Sequence, residues 1–435
     1  MTATPPVPNK WTEFLVNIYK EGQPPLLGTV DIKEIEKKAR EAMKDDIPAF
    51  MYTFGSAGTC STDLANKKAF ENYKLVPRML VDATNRSIET TIFGVKHPSP
   101  LLIAPVGVQG ILHPDGELAT ARAASNVGVA FIMSTASSRS IEDVAQANGP
   151  DGHRWYQLYW PRTAEVTLSL LRRAKASGFT ALVITLDTMH LGWRPHDLDT
   201  AYLPFAYGVG IQVGTSDPVF MKRFGLSPRE NERTEFPFKF QRIRKAALTQ
   251  GDEDATQNMM LGKEWMDELN SGAFRTWHDL QFIRDNWEGP IILKGIQHVS
   301  DAEKAIAYGM DGIVVSNHGG RQVDGAIGSL DVLDKIMDSQ IVQSSQKSGK
   351  FTVLFDSGVR TGSDVIKALA MGAQGVLVGR PCMYGLAIAG QAGVEQILLQ
   401  TLCDLHISLG LCGYGDINEL IGKKAEILAK MKYKL

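Results

Sequence analysis

Short apolar runs alternate with helical patterns along the chain from residue 101 onwards. The apolar runs are rich in Val, Ile and Leu, as expected of parallel strands that are buried on both faces. They occupy residues 101–107, 130–135, 154–159, 181–187, 290–295, 312–317, 351–358 and 375–381. Helical spacing of apolar residues fills the stretches 116–127, 140–147, 163–176, 300–308, 330–339 and 361–371. Eight such units predict an α/β protein with a closed (β/α)8 TIM barrel. An open doubly wound sheet is the main alternative, although no glycine-rich dinucleotide fingerprint follows the first strand.

Two parts of the chain fall outside this alternation. Residues 31–44 show helical spacing, with Asp31 as a suitable N-cap and Pro48 as a stop. We therefore predict that residues 1–100 form an N-terminal helical segment that packs on a barrel of residues 101–435. The pattern also breaks at residues 189–289, which include a charged stretch without clear periodicity at 241–262 and a helical pattern near 277–287. We interpret residues 189–289 as a long insertion after strand four and call it the lid.

Composition and charge narrow the class of protein. Of the 435 residues 44% are hydrophobic and 22% charged, which is ordinary for a globular protein. The net charge of −2, with scattered Lys and Arg, argues against a nucleic-acid partner. The four cysteines have neither CxxC nor metal-ligand spacing, which indicates reduced thiols and no metal site. Since we find no signal peptide and no membrane-spanning run, we expect a cytoplasmic protein without a membrane partner; the final Tyr-Lys-Leu is only loosely similar to a peroxisomal signal.

A histidine, two glycines and an arginine follow the sixth predicted strand, in the sequence Ser316-Asn317-His318-Gly319-Gly320-Arg321. The glycines let a ligand approach the backbone closely. His318 can accept a proton near neutral pH, and Arg321 can bind a carboxylate or a phosphate with its planar fork. This combination predicts a site that removes a proton from a small organic acid. The alternative is a capped strand end that carries a surface arginine.

Most of the other predicted strands also end in polar residues or glycines. Active sites of such barrels lie at the C-terminal ends of the strands, so these residues should meet at one mouth. The set comprises Pro105, Val106, Gly107, Ser134, Gln157, Tyr159, Thr185, Asp187, Lys294, Ser316, Asp356, Ser357, Gly358, Gly379 and Arg380. The alternative is that these strands end in polar residues only because their ends are exposed to water. However, Gln157, Asp187 and Lys294 interrupt apolar runs abruptly, which favours a functional role.

Charged residues after strands four, seven and eight suggest how a ligand is bound. Arg360 and Arg380 lie where barrels commonly bind a phosphate. Asp187 is suited to orient His318 and to stabilise its protonated form, as a carboxylate does in catalytic triads. Arg194, seven residues later, would be a second clamp on a substrate carboxylate. On spacing alone, Asp187 could equally cap the turn that follows it.

Together these motifs resemble the FMN-dependent L-2-hydroxy-acid oxidizing family. The matching segments are SNHGGRQ at 316–322, LKG at 293–295, FDSGVR at 355–360, GRP at 379–381, QLY at 157–159 and TLD at 185–187, and the resemblance extends from about residue 31 to residue 413. Within the family, LGWRPHDL at 191–198, SDPVF at 216–220 and the lengthened segment after strand four are most similar to the lactate 2-monooxygenases. Gly107 also fits, because oxidase relatives usually have alanine there.

The resemblance implies how the substrate is bound and oxidised. His318 would take a proton from L-lactate, and Asp187 would support the protonated form of His318. Arg321 and Arg194 would bind the carboxylate, and Tyr159 would donate a hydrogen bond to the substrate. One position departs from the family: counted from Pro48, Phe54 stands where a tyrosine is usual, and Tyr52 lies two residues earlier. This register implies that one hydrogen bond to the substrate is missing.

The resemblance also implies FMN as the cofactor. Lys294 would stabilise negative charge on the reduced flavin, since a fixed cation lowers the energy of charge that develops beside it. Pro105, Val106, Gly107, Ser134, Gln157, Thr185 and Ser316 would surround the ring and the ribityl chain, Asp356 would bind the ribityl hydroxyls, and Ser357, Gly358, Arg360, Gly379 and Arg380 would surround the phosphate.

The implied reaction is the oxidation of L-lactate by O2 to acetate, carbon dioxide and water. The lid would slow the escape of pyruvate, and Gly107 would leave room beside the flavin for oxygen or peroxide. The alternatives are a 2-hydroxy-acid oxidase that releases pyruvate and hydrogen peroxide, and a flavin-dependent isomerase without net redox change. A non-enzymatic scaffold would not need a base, a carboxylate and three cations at one mouth. The resemblance further implies a homotetramer or a homo-octamer.

Overall fold

Eight parallel strands form a closed barrel in the computed structural model, which describes residues 9–249 and 251–431. Strands β1 to β8 span Leu101–Ile103, Ala130–Ser134, Arg154–Leu158, Leu182–Thr185, Ile291–Ile296, Gly312–Val315, Thr352–Phe355 and Gly375–Val378. Each strand pairs with the next, and β8 closes the ring on β1 with Leu377 opposite Leu102. The predicted (β/α)8 barrel is confirmed, and the open doubly wound sheet is wrong.

Helices surround the barrel. They span Glu117–Val127, Ile141–Asn148, Ala164–Ala176, Val299–Ala307, Ser329–Ile336, Gln340–Lys347, Gly362–Met371 and Arg380–Leu411. The last of these, the C-terminal helix, was not predicted, because its glycines and a kink at Ala389 and Gly390 obscure the helical spacing. Although it is 32 residues long, neither it nor any other helix in the described part of the chain is long and apolar enough to cross a membrane.

Apolar side chains fill both faces of the barrel wall. One buried cluster lies inside the barrel and includes Leu102, Ile132, Val183, Ile292, Val314, Leu354 and Leu377. A hairpin of strands Thr90–Ile92 and Val95–His97 joins this cluster through Ile92 and Phe93. Phe93 lies beside Gly312 and Ile92 beside Gly375, the first residues of β6 and β8. The hairpin therefore closes the N-terminal end of the barrel and leaves the C-terminal end for the site.

Before the barrel, the described residues from 9 onwards form four helices, Glu13–Glu21, Ile32–Ala42, Ile47–Phe54 and Ser61–Glu71, with a 3-10 turn at Lys44–Asp46. Asp31 caps the second helix as predicted, because its carboxylate accepts a hydrogen bond from Lys33 N over 2.8 Å. Pro48 lies in the first turn of the third helix, a position where its missing N–H costs no hydrogen bond. Strand Tyr73–Leu75 pairs with Leu428–Lys430, which follows helix Lys424–Ile427 and ties the N-terminal segment to the end of the barrel chain.

The lid is largely helical. Its helices are Pro195–Thr200, Gln212–Thr215, Pro218–Lys222, Phe240–Thr249, Glu253–Leu269 and Leu280–Arg284, with 3-10 turns at Pro204–Tyr207 and Trp277–Asp279. The stretch 241–262, interpreted above as lacking periodicity, is therefore mostly helix. The helical signal lies partly beyond that stretch, since Leu261, Trp265 and Leu269 form one buried stripe on Glu253–Leu269. We call Glu253–Leu269 the lid helix.

Candidate active site

A pocket at the C-terminal ends of the strands collects most of the predicted site residues. Its walls include Pro105, Val106, Gly107, Tyr159, Arg194, Lys294, His318, Arg321, Asp356, Ser357, Gly358, Arg360, Gly379 and Arg380. Five further predicted residues are not on the pocket surface: Ser134, Gln157, Thr185 and Ser316 are buried, and Asp187 contacts His318. The strand ends therefore converge as predicted, in two layers.

The deeper layer is a buried hydrogen-bond chain. Ser134 Oγ donates to Gln157 Oε1 over 3.1 Å, and Gln157 Nε2 donates to Thr185 Oγ1 over 3.0 Å. Ser316 Oγ lies 3.1 Å from Lys294 Nζ, which donates to it. Because buried polar groups are costly unless paired, this chain fixes the ends of neighbouring strands in one arrangement. It supports the residues that face the pocket.

His318 and Asp187 form a hydrogen-bonded pair. His318 Nδ1 lies 2.9 Å from Asp187 Oδ1, which leaves Nε2 as the imidazole nitrogen for the pocket. The backbone of His318 has a φ of +60°, a strained conformation that is concentrated at functional sites. Burial lowers the pKa of His318, Asp187 opposes this shift, and Lys294 adds to it. The imidazole is therefore neutral at pH 7 and can accept a proton.

The carboxylate of Asp187 is suited to stabilise a protonated His318. Burial would raise the pKa of Asp187, but His318, Lys294 and a hydrogen bond from Thr188 Oγ1 outweigh it and lower the pKa to about 2. Space for the carboxylate comes from a bulge in β5 at Gly295, whose φ is +105°. A Cβ at Gly295 would lie 3.1 Å from the carboxylate, so a larger residue would crowd Asp187.

Arg194 and Arg321 form a cationic wall. Arg194 Nε donates to Arg321 O over 3.0 Å, and Arg321 Nη1 donates to Gly55 O over 2.7 Å. Burial and then the nearby Arg194 and Arg380 lower the pKa of Arg321 to about 9, so it is still protonated at pH 7. An anionic ligand would relieve this repulsion, and a carboxylate matches the fork geometry of arginine.

Tyr52 completes this wall and was not predicted as a site residue. It lines the pocket, and the Arg321 guanidinium lies 5.6 Å from the centre of its ring. Burial raises the pKa of Tyr52 to about 12, so its hydroxyl keeps its proton. Phe54 instead stacks on Phe50 with ring centres 5.6 Å apart. Helix Ile47–Phe54 turns Tyr52 towards the pocket, so its hydroxyl can supply the hydrogen bond that the register at Phe54 implied to be missing.

Lys294 is a buried cation in the pocket. Its Nζ lies 3.2 Å from Asp356 Oδ2. Burial would lower the pKa of Lys294, but Asp356 and Asp187 outweigh this effect and raise it. The ammonium group therefore stays charged and can stabilise negative charge that develops beside it.

The two arginines predicted to bind phosphate differ in their surroundings. Arg380 donates to Gly319 O over 2.9 Å, to Gly55 O over 3.1 Å and to Asp63 Oδ1 over 3.2 Å. In the part of the chain that the structure describes, the Arg360 side chain donates to one acceptor, Val359 O, over 2.9 Å. Both line the pocket near the start of the C-terminal helix, where backbone N–H groups also favour an anion. Arg360 therefore has the freer guanidinium.

Gly107 packs closely against the loop after β2. A Cβ at position 107 would lie 2.6 Å from both the Cβ and the carbonyl oxygen of Ala136. A side chain at position 107 would therefore meet Ala136, and the expectation that Gly107 leaves room beside a flavin gains no support from this packing. Glycine is needed here so that the two loops can approach.

The lid contributes a mostly apolar wall that was not predicted in detail. The lid residues on the pocket surface, besides Arg194, are Leu191, Phe205, Trp265, Met266, Leu269 and Asn270. Asn270 follows the lid helix, and its Nδ2 donates to Thr188 O over 2.8 Å. The lid helix therefore ends beside the His318–Asp187 pair.

Comparison with known proteins identifies relatives along almost the whole chain. The sequence pattern of the family named FMN-dependent dehydrogenase matches residues 39–428. The chain is 48% identical to an FMN-dependent alpha-hydroxy acid dehydrogenase, qulF, from Penicillium citrinum, over 87% of this chain and 86% of that protein. It is 39% identical to an L-lactate oxidase from Lysinibacillus sphaericus, over 87% of this chain and 89% of that protein. A solved structure of a mandelate oxidase mutant with (S)-mandelic acid matches with a TM-score of 0.72 at 33% identity, covering 94% of this chain and 100% of that one.

The residues of the pocket fit FMN. The strip Pro105-Val106-Gly107 offers a surface for the flat ring, and the buried Lys294 suits a ring that becomes negative on reduction. Asp356 lies beside Lys294, where it can accept hydrogen bonds from the ribityl chain, and the guanidinium of Arg360, whose described side-chain bond is to Val359 O, suits the phosphate. Fold, site and relatives agree, and we conclude that this chain belongs to the FMN-dependent dehydrogenase family, as an enzyme that uses FMN to oxidise 2-hydroxy acids.

Proposed function

We propose that the enzyme oxidises L-lactate with O2 to acetate, carbon dioxide and water. One lactate and one O2 balance one acetate, one carbon dioxide and one water. The observation that carries this proposal is the end of the lid helix beside the His318–Asp187 pair, because it encloses the place where the keto acid forms. A second candidate is an oxidase that releases pyruvate and hydrogen peroxide.

The substrate carboxylate binds to the cationic wall. Arg194 and Arg321 supply the charge, and the protonated hydroxyl of Tyr52 supplies a hydrogen bond. His318 Nε2 then takes the substrate proton, and Asp187 stabilises the imidazolium that results. Bound FMN supplies a two-electron acceptor that O2 can reoxidise. The orientation of the substrate therefore depends on the fixed positions of Arg194 and Arg321.

The fate of the keto acid depends on the lid. Decarboxylation requires that pyruvate and hydrogen peroxide meet in the site before either leaves. The products therefore depend on the rate of decarboxylation relative to the rate of release. Two bonds hold the end of the lid against the loop after β4: Asn270 Nδ2 donates to Thr188 O over 2.8 Å, and Gly272 N donates to Met189 O over 3.1 Å. Met266 and Leu269 present apolar surface to the pocket, which disfavours entry of water. These contacts support retention of pyruvate.

The close packing at Gly107 removes one argument against the oxidase candidate. Since Ala136 fills the space beside that glycine, the argument for an oxygen cavity there is lost, and the preference for decarboxylation depends on the lid. The isomerase alternative is wrong, because the family oxidises its substrates.

Product analysis tests the proposal. The FMN-loaded enzyme is incubated with L-lactate in air, and acetate, carbon dioxide, pyruvate and hydrogen peroxide are quantified. We expect mostly acetate and carbon dioxide; stoichiometric pyruvate and peroxide would assign the oxidase reaction instead.

A matched pair of variants tests the role of the lid. Asn270→Ala removes a neutral hydrogen bond worth ~0.5–1.5 kcal/mol. Because about 1.4 kcal/mol changes a rate ratio tenfold, we expect a roughly two- to thirteenfold shift towards pyruvate and peroxide. Asn258→Ala is the control, since Asn258 lies on the lid helix but accepts its hydrogen bond from Arg229 rather than contacting Thr188. An equal shift in both variants would contradict a specific role for the Asn270 contact.

A further inference from the structure

We infer that Gln322 is a positioning residue that sets the spacing between the carboxylate clamp and the base. Its amide makes four hydrogen bonds within the wall of the site. Nε2 donates to Asp187 O over 2.6 Å and to His190 O over 2.9 Å. Oε1 accepts from Arg194 Nη2 over 2.6 Å and from Gly192 N over 3.2 Å. One side chain therefore holds the backbone of Asp187 and the guanidinium of Arg194 together.

The contact with Arg194 determines where its guanidinium points. Among the described residues, Gln322 Oε1 makes the shortest contact with it, 2.6 Å from Nη2. Arg321 O lies 3.0 Å from Nε, and Asp197 Oδ2 lies 3.9 Å from Nη1. A neutral amide oxygen orients the arginine fork and leaves its charge available to a ligand. A carboxylate at this position would form an ion pair with Arg194 and compete with the substrate carboxylate. The amide is therefore better suited here than an acid of the same shape.

The contact with Asp187 connects the clamp to proton transfer. Asp187 offers its carbonyl to Gln322 and its carboxylate to His318. A 2-hydroxy acid spans these two places, with its carboxylate at the arginines and its reacting carbon at the histidine. A displacement of about 1 Å in such an arrangement can cost ~10²-fold in rate. Gln322 fixes this separation without touching the substrate, since it lies outside the pocket surface among the described residues.

The loop after β4 is packed directly on Gln322. A Cβ at Gly192 would lie 2.4 Å from Arg321 O and 2.7 Å from Gln322 Cα. The loop therefore has little room to move away from the amide, and a change in the amide is transmitted to Arg194.

The inference rests on the proposed role of Arg194 as a ligand of the substrate carboxylate, and two variants of Gln322 test it. Gln322→Met keeps the length of the side chain and removes the four hydrogen bonds, whereas Gln322→Glu keeps an acceptor and adds a charge. Anaerobic bleaching of the flavin by increasing L-lactate gives the substrate Kd and the limiting rate separately; (S)-mandelate replaces L-lactate if L-lactate does not bleach the flavin. We expect Gln322→Met to raise Kd about tenfold or more, as for loss of a hydrogen bond to a charged group, and Gln322→Glu to raise it further.

Asp324→Asn is the matched control. Asp324 lies on the same loop, and its described hydrogen bonds are with Thr59 and Ser61 rather than with Arg194. We expect this variant to keep the substrate Kd of the unaltered enzyme. A rise in Kd equal to that of Gln322→Met, or a parallel loss of FMN affinity in Gln322→Met, would show general damage to the loop and overturn the inference.

A double-mutant cycle with Arg194→Ala separates the inference about Gln322 from the proposed role of Arg194. If Gln322 acts through Arg194, the effect of Gln322→Met on Kd should fall to about twofold or less once Arg194 is absent. Full additivity of the two substitutions would overturn the inference about Gln322. An unchanged Kd in Arg194→Ala alone would instead refute the proposed role of Arg194.

Discussion

Replacement of Asp187 by asparagine tests the central pair of the site most directly. The substitution preserves size and shape and removes the charge that faces His318 across 2.9 Å. Asp187 is ionised at neutral pH because its pKa is lowered to about 2. When His318 accepts the substrate proton, the contact becomes a charge-assisted hydrogen bond between two buried groups.

The expected loss of rate follows from the strength of this hydrogen bond between His318 and Asp187. A hydrogen bond to a charged group is worth ~1.5–3 kcal/mol. Since 1.36 kcal/mol corresponds to a factor of ten in rate, flavin reduction in Asp187→Asn should slow roughly 13- to 160-fold. Thr188→Val keeps the charge of Asp187 and removes the hydroxyl that donates to its carboxylate over 3.0 Å and lies 3.4 Å from His318 Nδ1. Because this hydrogen bond to the ionised carboxylate exists both before and after proton transfer, its loss should slow reduction less than Asp187→Asn does.

The assay is anaerobic stopped-flow bleaching of the flavin at saturating L-lactate, with FMN content measured for each variant. Both variants should retain FMN, because neither residue is proposed to bind it. A rate for Asp187→Asn within about twofold of the unaltered enzyme would refute the role of Asp187. A slower rate for Thr188→Val than for Asp187→Asn would show that the threonine, rather than the charge, carries the effect.

The remaining predictions concern the base, the cofactor and the packing of the loops. His318→Ala should retain yellow FMN but reduce it ~10²–10⁴-fold more slowly, and near-normal reduction would refute its role as base. In the unaltered enzyme the reduction rate should fall as the pH drops through a pKa below 6.5, since only neutral His318 accepts a proton and burial lowers its pKa; a fall centred above pH 6.5 would contradict this. FMN affinity, measured by titration of the apoprotein, should fall more for Arg360→Ala than for Arg380→Ala, and the opposite order would place the phosphate at Arg380. Gly107→Ala should lower Tm and Ala136→Gly should restore part of the loss, whereas an unchanged Tm would show that the two loops can separate freely.

The barrel and the ends of its strands could be predicted from the sequence because their signals are local. A parallel strand that is buried on both faces is a nearly continuous apolar run, and the residue that ends such a run lies at the mouth. Lys294 and His318 were found in this way. Their partners in space, Asp356 and Asp187, also end strands, so the pairs were available before the structure was known.

Other features could not be predicted because their signals are not local. Tyr52 faces the site because residues 47–54 form a helix. Counting residues from Pro48 does not show which way a side chain points. The apolar stripe of the lid helix is covered by other parts of the lid, whose positions the sequence does not give. The charged residues between the positions of the stripe obscured its helical spacing. The close approach of Gly107 to Ala136 joins two loops that are separated in the sequence. The hydrogen bonds of the Gln322 amide to Asp187 and Arg194 also join residues that are distant in the sequence.

The bonds of Arg380 have a consequence for how the protein can be divided. Its guanidinium binds the carbonyl of Gly55, the hydroxyl of Ser56 and the carboxylate of Asp63, all of which precede the first barrel strand. A fragment that begins at residue 101 would contain every βα unit, yet it would lack Tyr52 and leave Arg380 without these acceptors. Residues 52–63 are therefore a wall of the pocket rather than an appendage, and we expect that removing them would impair the site even if the barrel remained folded.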